Sequence, residues 1–201
     1  RAPPTPEIER PRSDYGHNMA TDLRSVNECA IPQPVLTPVT TFDAETTAML
    51  DRTGMRTFYG QFGHAPGLID KWMAFYQPVV NGGSVPLRTK ELCRLRIAAR
   101  NGCMFCLGGR FRDAAGVPVV NDDDVDAVLA GRFDDPRFTA TEAAALRFTE
   151  VYRLDHAAVD KVLIDETLEF LTEGEFIELS LCIAQFTGMG QLFAMLGLPS
   201  M

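Results

Sequence analysis

No uninterrupted apolar run in this 201-residue chain approaches the ~20 residues that a membrane-spanning helix requires. A membrane is therefore not an expected partner. Basic residues are also too few to attract polyanions: 19 Lys and Arg stand against 27 Asp and Glu, a formal net charge of −8. Nucleic acid and anionic lipid are both repelled by such a surface, and no basic run with interleaved aromatics offsets it. Cysteines number five, an odd count at irregular spacing, which is a poor disulfide framework for a secreted protein. A cytoplasmic location is the expectation. Histidines are scarcer still, and His17, His64 and His156 lie far apart. With no second paired spacing among Cys29, Cys93 and Cys182, a four-ligand zinc site is disfavoured. No motif points to a metal, a haem or any other cofactor. Strand-like alternation of convincing length is missing, as is a repeat at a solenoid period. The opening Arg1–Ala2–Pro3–Pro4 has neither an initiator Met nor an apolar signal core, which fits a processed or trimmed start.

What is present reads as a globular all-α protein. The chain is 46% hydrophobic and 23% charged, enough apolar material for a sizeable core. Its length fits one domain with an added tail. Residues 1–42 carry Pro3, Pro4, Pro6, Pro11, Pro32, Pro34 and Pro38 and cannot hold a long helix. This segment is expected to be an extended Pro-rich arm. Ile31, Val35, Leu36 and Val39 give it an apolar grip on its own domain or on a neighbouring subunit; disorder is the alternative.

Residues 43–201 have helical texture. Asp43 is expected to cap a helix over 43–59. Further helices are expected over 66–80, from Pro86 or Thr89 to Asn101, and over 103–115. Acidic residues at 122–124 suit the start of a short helix ending near Gly131. Another begins after Thr139, another spans 165–171, and the longest runs over 173–196.

Chemistry concentrates between Pro86 and Arg110. Leu87, Glu91, Leu95 and Ala98 share one helix face. A carboxylate in an apolar stripe needs a partner or a proton, so Glu91 is either a general acid/base or half of an ion pair with a nearby arginine. Cys103–Met104–Phe105–Cys106 is a C-x-x-C at a helix start, where unpaired backbone N–H groups favour the Cys103 thiolate. Cys106 follows one turn later, close enough to condense with an oxidised partner. Two buried core cysteines are the plainer reading. Arg110 lies four residues beyond Cys106, and Trp72, Phe75, Tyr76 and Phe105 are candidate pocket walls, though core packing explains each aromatic singly.

The arrangement of Glu91, Cys103-x-x-Cys106, the Leu87–Leu92 run and Asn101–Gly102, flanked by Ala65–Leu68 and Ile183–Phe186, resembles the carboxymuconolactone decarboxylase superfamily. Within it, the likeness is to the alkylhydroperoxidase D-like and peroxidase-related branch, over residues 43–198. The resemblance implies an all-α fold, an antiparallel helical hairpin around the C-x-x-C, and homo-oligomers such as trimers or hexamers. It implies that Cys106 attacks a peroxide, that Cys103 resolves it, and that Glu91 joins a proton relay with a histidine four residues after the second cysteine. Arg110 occupies that histidine's place here, and Phe105 stands where some members have another. An arginine cannot shuttle protons near neutral pH, but it can hold a thiolate or bind a carboxylate. His64 is the imidazole available from elsewhere, if it is not an ordinary loop residue.

Two functions follow. The first is a thiol-dependent oxidoreductase that reduces a peroxide or disulfide, recycled by a thiol reductant protein. Its catalytic residues are Glu91, Cys103 and Cys106. Arg110, His64, Trp72, Tyr76 and Phe105 bind its small-molecule substrate. The alternative is a cofactor-free lyase, decarboxylase or isomerase acting on a small organic acid or phenol, with Glu91 as acid/base and Arg110 as anion binder. A noncatalytic binding protein is a third reading, since fold alone does not choose.

Overall fold

The structure is a computed structural model and describes residues 34–53, 55–65 and 67–198. His17, Cys29 and most of the expected arm lie outside the described residues. Among the described residues the architecture is all-α. The elements are α1 (Ala44–Thr53), α2 (Arg56–Phe62), α3 (Leu68–Asn81), α4 (Leu87–Asn101), α5 (Met104–Gly108), α6 (Asp122–Leu129), α7 (Ala140–Leu154), α8 (Lys161–Leu168) and α9 (Glu173–Met195), with a 3₁₀ turn at His156–Ala158. The only extended pairing described is an isolated bridge between Arg112 and Pro118.

Helix starts follow local chemistry. Asp43 accepts from the Thr46 backbone N–H at 2.7 Å, as an N-cap should. Reciprocal capping boxes open α6 (Asn121 with Asp124), α7 (Thr139 with Glu142) and α9 (Thr172 with Glu175). Asp160 caps α8, so this helix begins four residues before the expected Asp165. The single helix expected over 43–59 is instead two, α1 and α2.

The helix expected over 103–115 is the largest departure, because α5 stops at Gly108. Arginine side chains take the carbonyls that a longer helix would use. Arg94 bonds the carbonyls of Cys106 and Gly109, and Arg110 bonds those of Leu107 and Gly109. Helix ends are stable where orphan carbonyls find such donors.

α4 is the centre of the domain. It packs against α9, α7, α6 and α5, and every residue from Thr89 to Ala98 is buried. Its charged residues are tolerated because each is paired. Lys90, 0% exposed, meets Glu178 at 2.5 Å and donates to the carbonyls of Val79 and Gly82 at 2.9 and 2.6 Å. Arg96 meets Glu150 at 2.6 Å, and Arg88 meets Asp124 and Glu142 at 2.6 and 2.9 Å. One apolar cluster joins Ile97, Phe148, Leu179 and Ile183; a second joins Leu92, Leu95, Val128 and Leu146.

α9, at 23 residues, is long and apolar enough by length and composition to cross a membrane, which corrects the expectation that no segment is. Its inner face, including Leu179, Cys182, Ile183 and Phe193, is buried in the domain core. Ile177, Leu181 and Met195 are exposed along its outer side.

Residues 34–42 lie along the domain surface without helix. Val35 N–H donates to the Leu196 carbonyl at 3.1 Å, and Val39 N–H to that of Gly60 at 2.9 Å. Gln61 Nε2 donates to the Leu36 carbonyl at 2.9 Å.

Candidate active site

The turn between α4 and α5 builds the site. Gly102 adopts φ +62°, a left-handed conformation that glycine enters without a Cβ clash, and its N–H returns to the carbonyls of Ala98 and Ala99. This reversal places Cys103 as the N-cap of α5. Its Sγ accepts from the Cys106 N–H at 3.2 Å. Cys103 and Cys106 form a disulfide with their Cα atoms 5.2 Å apart. Cys103 is 0% exposed, while Cys106 is half-buried and faces a cavity.

That cavity has a volume of about 380 Å³ and lies among α1, α2, α3, α4, α5 and α9. Its walls are mostly aromatic and thioether. Phe58 and Phe105 stack at 5.5 Å between centroids, and Phe193 meets both edge-on. Trp72 and Tyr76 stand one turn apart on α3 with centroids 5.0 Å apart. Burial pushes the Tyr76 phenol up to about 12, with Arg94 opposing and Glu91 adding to the shift, so its hydroxyl keeps its proton at neutral pH.

The structure brings together Cys106, Arg110, Trp72, Tyr76 and Phe105 as lining residues of this one cavity. Glu91 stands directly behind it. It is 0% exposed, does not line the cavity, and has its carboxylate occupied by Arg94 and by the Phe111 N–H at 3.1 Å. The ion-pair reading of Glu91 therefore describes its geometry, and no atom of it is presented to a bound molecule. His64 is not in the lining. It is exposed, and its Nε2 lies 2.9 Å from the Thr37 carbonyl, on the side where residues 34–42 run. Phe75, a candidate wall, is 46% exposed and is not in the lining.

Sequence reasoning missed three contributors. Arg94 lines the cavity, holds Glu91, and lies 5.0 Å from the Phe111 ring centroid as a cation–π contact. Its i, i+3 spacing from Glu91 was the available signal. Gly190 on α9 lets that helix approach the cysteine turn, since a Cβ there would sit 2.7 Å from Asn101 Nδ2 and 4.0 Å from Cys106 Sγ. Gln185 lines the cavity at 8% exposure. Two further cysteines are buried elsewhere: burial pushes Cys93 up to about 12 and Cys182 up to about 11. Among the described residues, no cluster of His, Cys, Asp or Glu could hold a metal ion.

The site is thus a C-x-x-C pair, buried at Cys103 and half-buried at Cys106, beside an apolar cavity in an all-α domain. The model of the carboxymuconolactone decarboxylase family matches residues 66–151 of this chain. No curated protein matches it. Solved structures share its fold. A peroxidase-related protein from Silicibacter sp. TM1040 is 14% identical over 81% of this chain and 88% of its own, with a TM-score of 0.67. An Agrobacterium tumefaciens protein of unknown function, proposed to be the antioxidant defence protein AhpD, is 16% identical over 70% and 95%, with a TM-score of 0.57. The debrominase Bmp8, solved as a Cys→Ala variant in complex with 2,3,4-tribromopyrrole, is 19% identical over 82% and 90%, with a TM-score of 0.58.

Proposed function

We propose that this protein is a thiol-dependent oxidoreductase that reduces a peroxide or disulfide through Cys106 and Cys103. The observation that carries the reading is the asymmetry of the pair. Cys106 faces the cavity while Cys103 is fully buried behind it, close enough to bond to it. In the reduced protein, the Cys106 thiolate attacks one oxygen of a hydroperoxide. The O–O bond breaks, the leaving alkoxide takes a proton from water, and Cys106 becomes a sulfenic acid. The Cys103 thiol then attacks that sulfur, and hydroxide leaves with the thiol proton as water. The resulting disulfide is reduced by an external dithiol protein, which supplies two electrons and two protons. Arg94, whose guanidinium bonds the Cys106 carbonyl, supplies positive charge that favours the thiolate.

Glu91 serves this reaction by fixing Arg94 rather than by carrying a proton to substrate. Arg110 replaces the histidine of the family relay and binds substrate at the rim. The protein works in the cytoplasm, where thiol reductants are available, as a homo-oligomer of three or six chains. Exposed Ile177, Leu181 and Met195 on α9 support assembly.

A second reading keeps the cavity and changes the chemistry. A non-redox lyase or isomerase would use Arg110 to orient a small aromatic or organic acid, and the tribromopyrrole complex of Bmp8 supports a small-aromatic ligand. The position of Glu91 outside the lining counts against its acid/base role there. Cys106→Ser separates the two: abolished hydroperoxide turnover supports the redox reading, and an unchanged rate removes it.

A further inference from the structure

We infer that Gln185 is the polar recognition point of this cavity, selecting a neutral aromatic ligand that bears one group able both to donate and to accept a hydrogen bond. The inference rests on the redox reading only for the identity of that group, a hydroperoxide in the substrate and the corresponding hydroxyl in the product.

Gln185 lies on α9 with 8% of its surface exposed. It lines the cavity beside Phe186 and one turn before Met189. Neither its Oε1 nor its Nε2 has a hydrogen-bond partner. A buried primary amide with both ends unmade is expensive, and a Leu or Met of similar volume would fill the same space without that penalty. An amide kept at such a position is explained by a ligand that completes it. Trp72 Nε1, also in the lining, is likewise without a partner.

The charge pattern sets the ligand class. Arg94 is engaged by Glu91 and by the carbonyls of Cys106 and Gly109, and Arg110 turns Nη1 onto the carbonyls of Leu107 and Gly109. Arg110 keeps Nε and Nη2 at the rim, whereas the fully buried polar atoms of lining residues without a partner are those of the neutral Gln185 amide and Trp72 indole. Around them stand Phe58, Trp72, Phe105 and Phe193. A volume of about 380 Å³ fits a substituted ring, and hydrogen peroxide would leave most of it unfilled. An aryl-alkyl hydroperoxide meets every condition. Its ring packs on the aromatic walls, its O–H donates to Oε1, and its oxygen accepts from Nε2. Gln185 is thus a specificity residue that holds the reacting group without taking part in bond making.

Trp72 is the only tryptophan in the chain and lines the cavity, so its fluorescence reports occupancy. The test titrates the intact, oxidised protein with 2-phenyl-2-propanol and with isopropylbenzene, which lacks the hydroxyl. Relative to wild type, Gln185→Leu should lower the preference for the alcohol over the hydrocarbon by about tenfold, with the hydrocarbon Kd moving by less than about threefold. Retained hydrocarbon binding shows that the variant is folded. If Leu disturbs packing, Gln185→Met, of the same length, is read in the same way. An unchanged preference, no binding of either probe to wild type, or loss of hydrocarbon binding in both variants overturns the inference. The measurement involves no cysteine chemistry. Failure of the redox reading appears in Cys106→Ser turnover, and failure of this inference appears in the binding preference.

Discussion

Arg94 grips the carboxylate of Glu91 at both oxygens, Nε to Oε2 at 2.6 Å and Nη2 to Oε1 at 2.8 Å, from one turn further along the same buried helix. The same guanidinium reaches the carbonyls of Cys106 and Gly109. One ion pair therefore ties the central helix to the cysteine turn.

Removing one partner should expose this dependence. Arg94→Met leaves the Glu91 charge buried without compensation and is expected to destabilise the fold by about 3–5 kcal/mol. Arg94→Lys should recover only part of this, because an ammonium cannot supply the planar fork. Urea midpoints at neutral pH check both. A loss below about 1 kcal/mol for Arg94→Met, the range of an exposed pair, would contradict the geometry.

Gly190→Ala tests the contact between α9 and the cysteine turn. The added Cβ would lie 2.7 Å from Asn101 Nδ2. That side chain cannot easily yield, since it donates to the Thr187 carbonyl at 3.2 Å and accepts from Arg153 at 3.0 Å. A destabilisation of about 1–3 kcal/mol is expected from overpacking, together with slower Cys103–Cys106 disulfide formation. Thermal melts and timed thiol trapping read the two effects, and wild-type behaviour in both would show that α9 does not hold the turn.

The buried thiols set an alkaline limit. Burial raises Cys93 to about 12 and Cys182 to about 11 from an ordinary value of 9.0. Between those values and 9, the unfolded chain has released protons that the native state still binds. Stability is therefore fully present below pH 9 and falls as pH rises from 9 toward 11–12. Tyr76, raised from 10.0 to about 12, adds in the same direction from pH 10 upward. Urea midpoints across pH 8–10.5 should decline, and Cys93→Ala with Cys182→Ala should flatten the curve. An equally steep decline in the double variant would contradict the assignment.

The parts legible in the sequence were those set locally. Asp43, Asn121, Thr139 and Thr172 are caps readable from a few neighbouring residues, and the helices they open were expected. Glu91 was readable as a carboxylate in an apolar stripe, and it is fully buried. What escaped depended on residues far along the chain. Lys90 and Arg96 are buried because Glu178 and Glu150 meet them, and no local pattern on α4 announces that. The length of α5 was misjudged because arginine side chains satisfy its last carbonyls. His64 is held away from the cavity by the Thr37 carbonyl, 27 residues earlier in the chain, and no local pattern announces that contact. The open amide of Gln185 became visible only with the cavity around it.

The central claim is that Cys103 and Cys106 are a working redox pair. The most direct measurement treats the fully reduced protein with one equivalent of cumene hydroperoxide, counts thiols, and maps any disulfide by peptide mass. Loss of two thiols, with a bond between Cys103 and Cys106 and none at Cys93 or Cys182, is the expected result. Retention of every thiol would contradict the account.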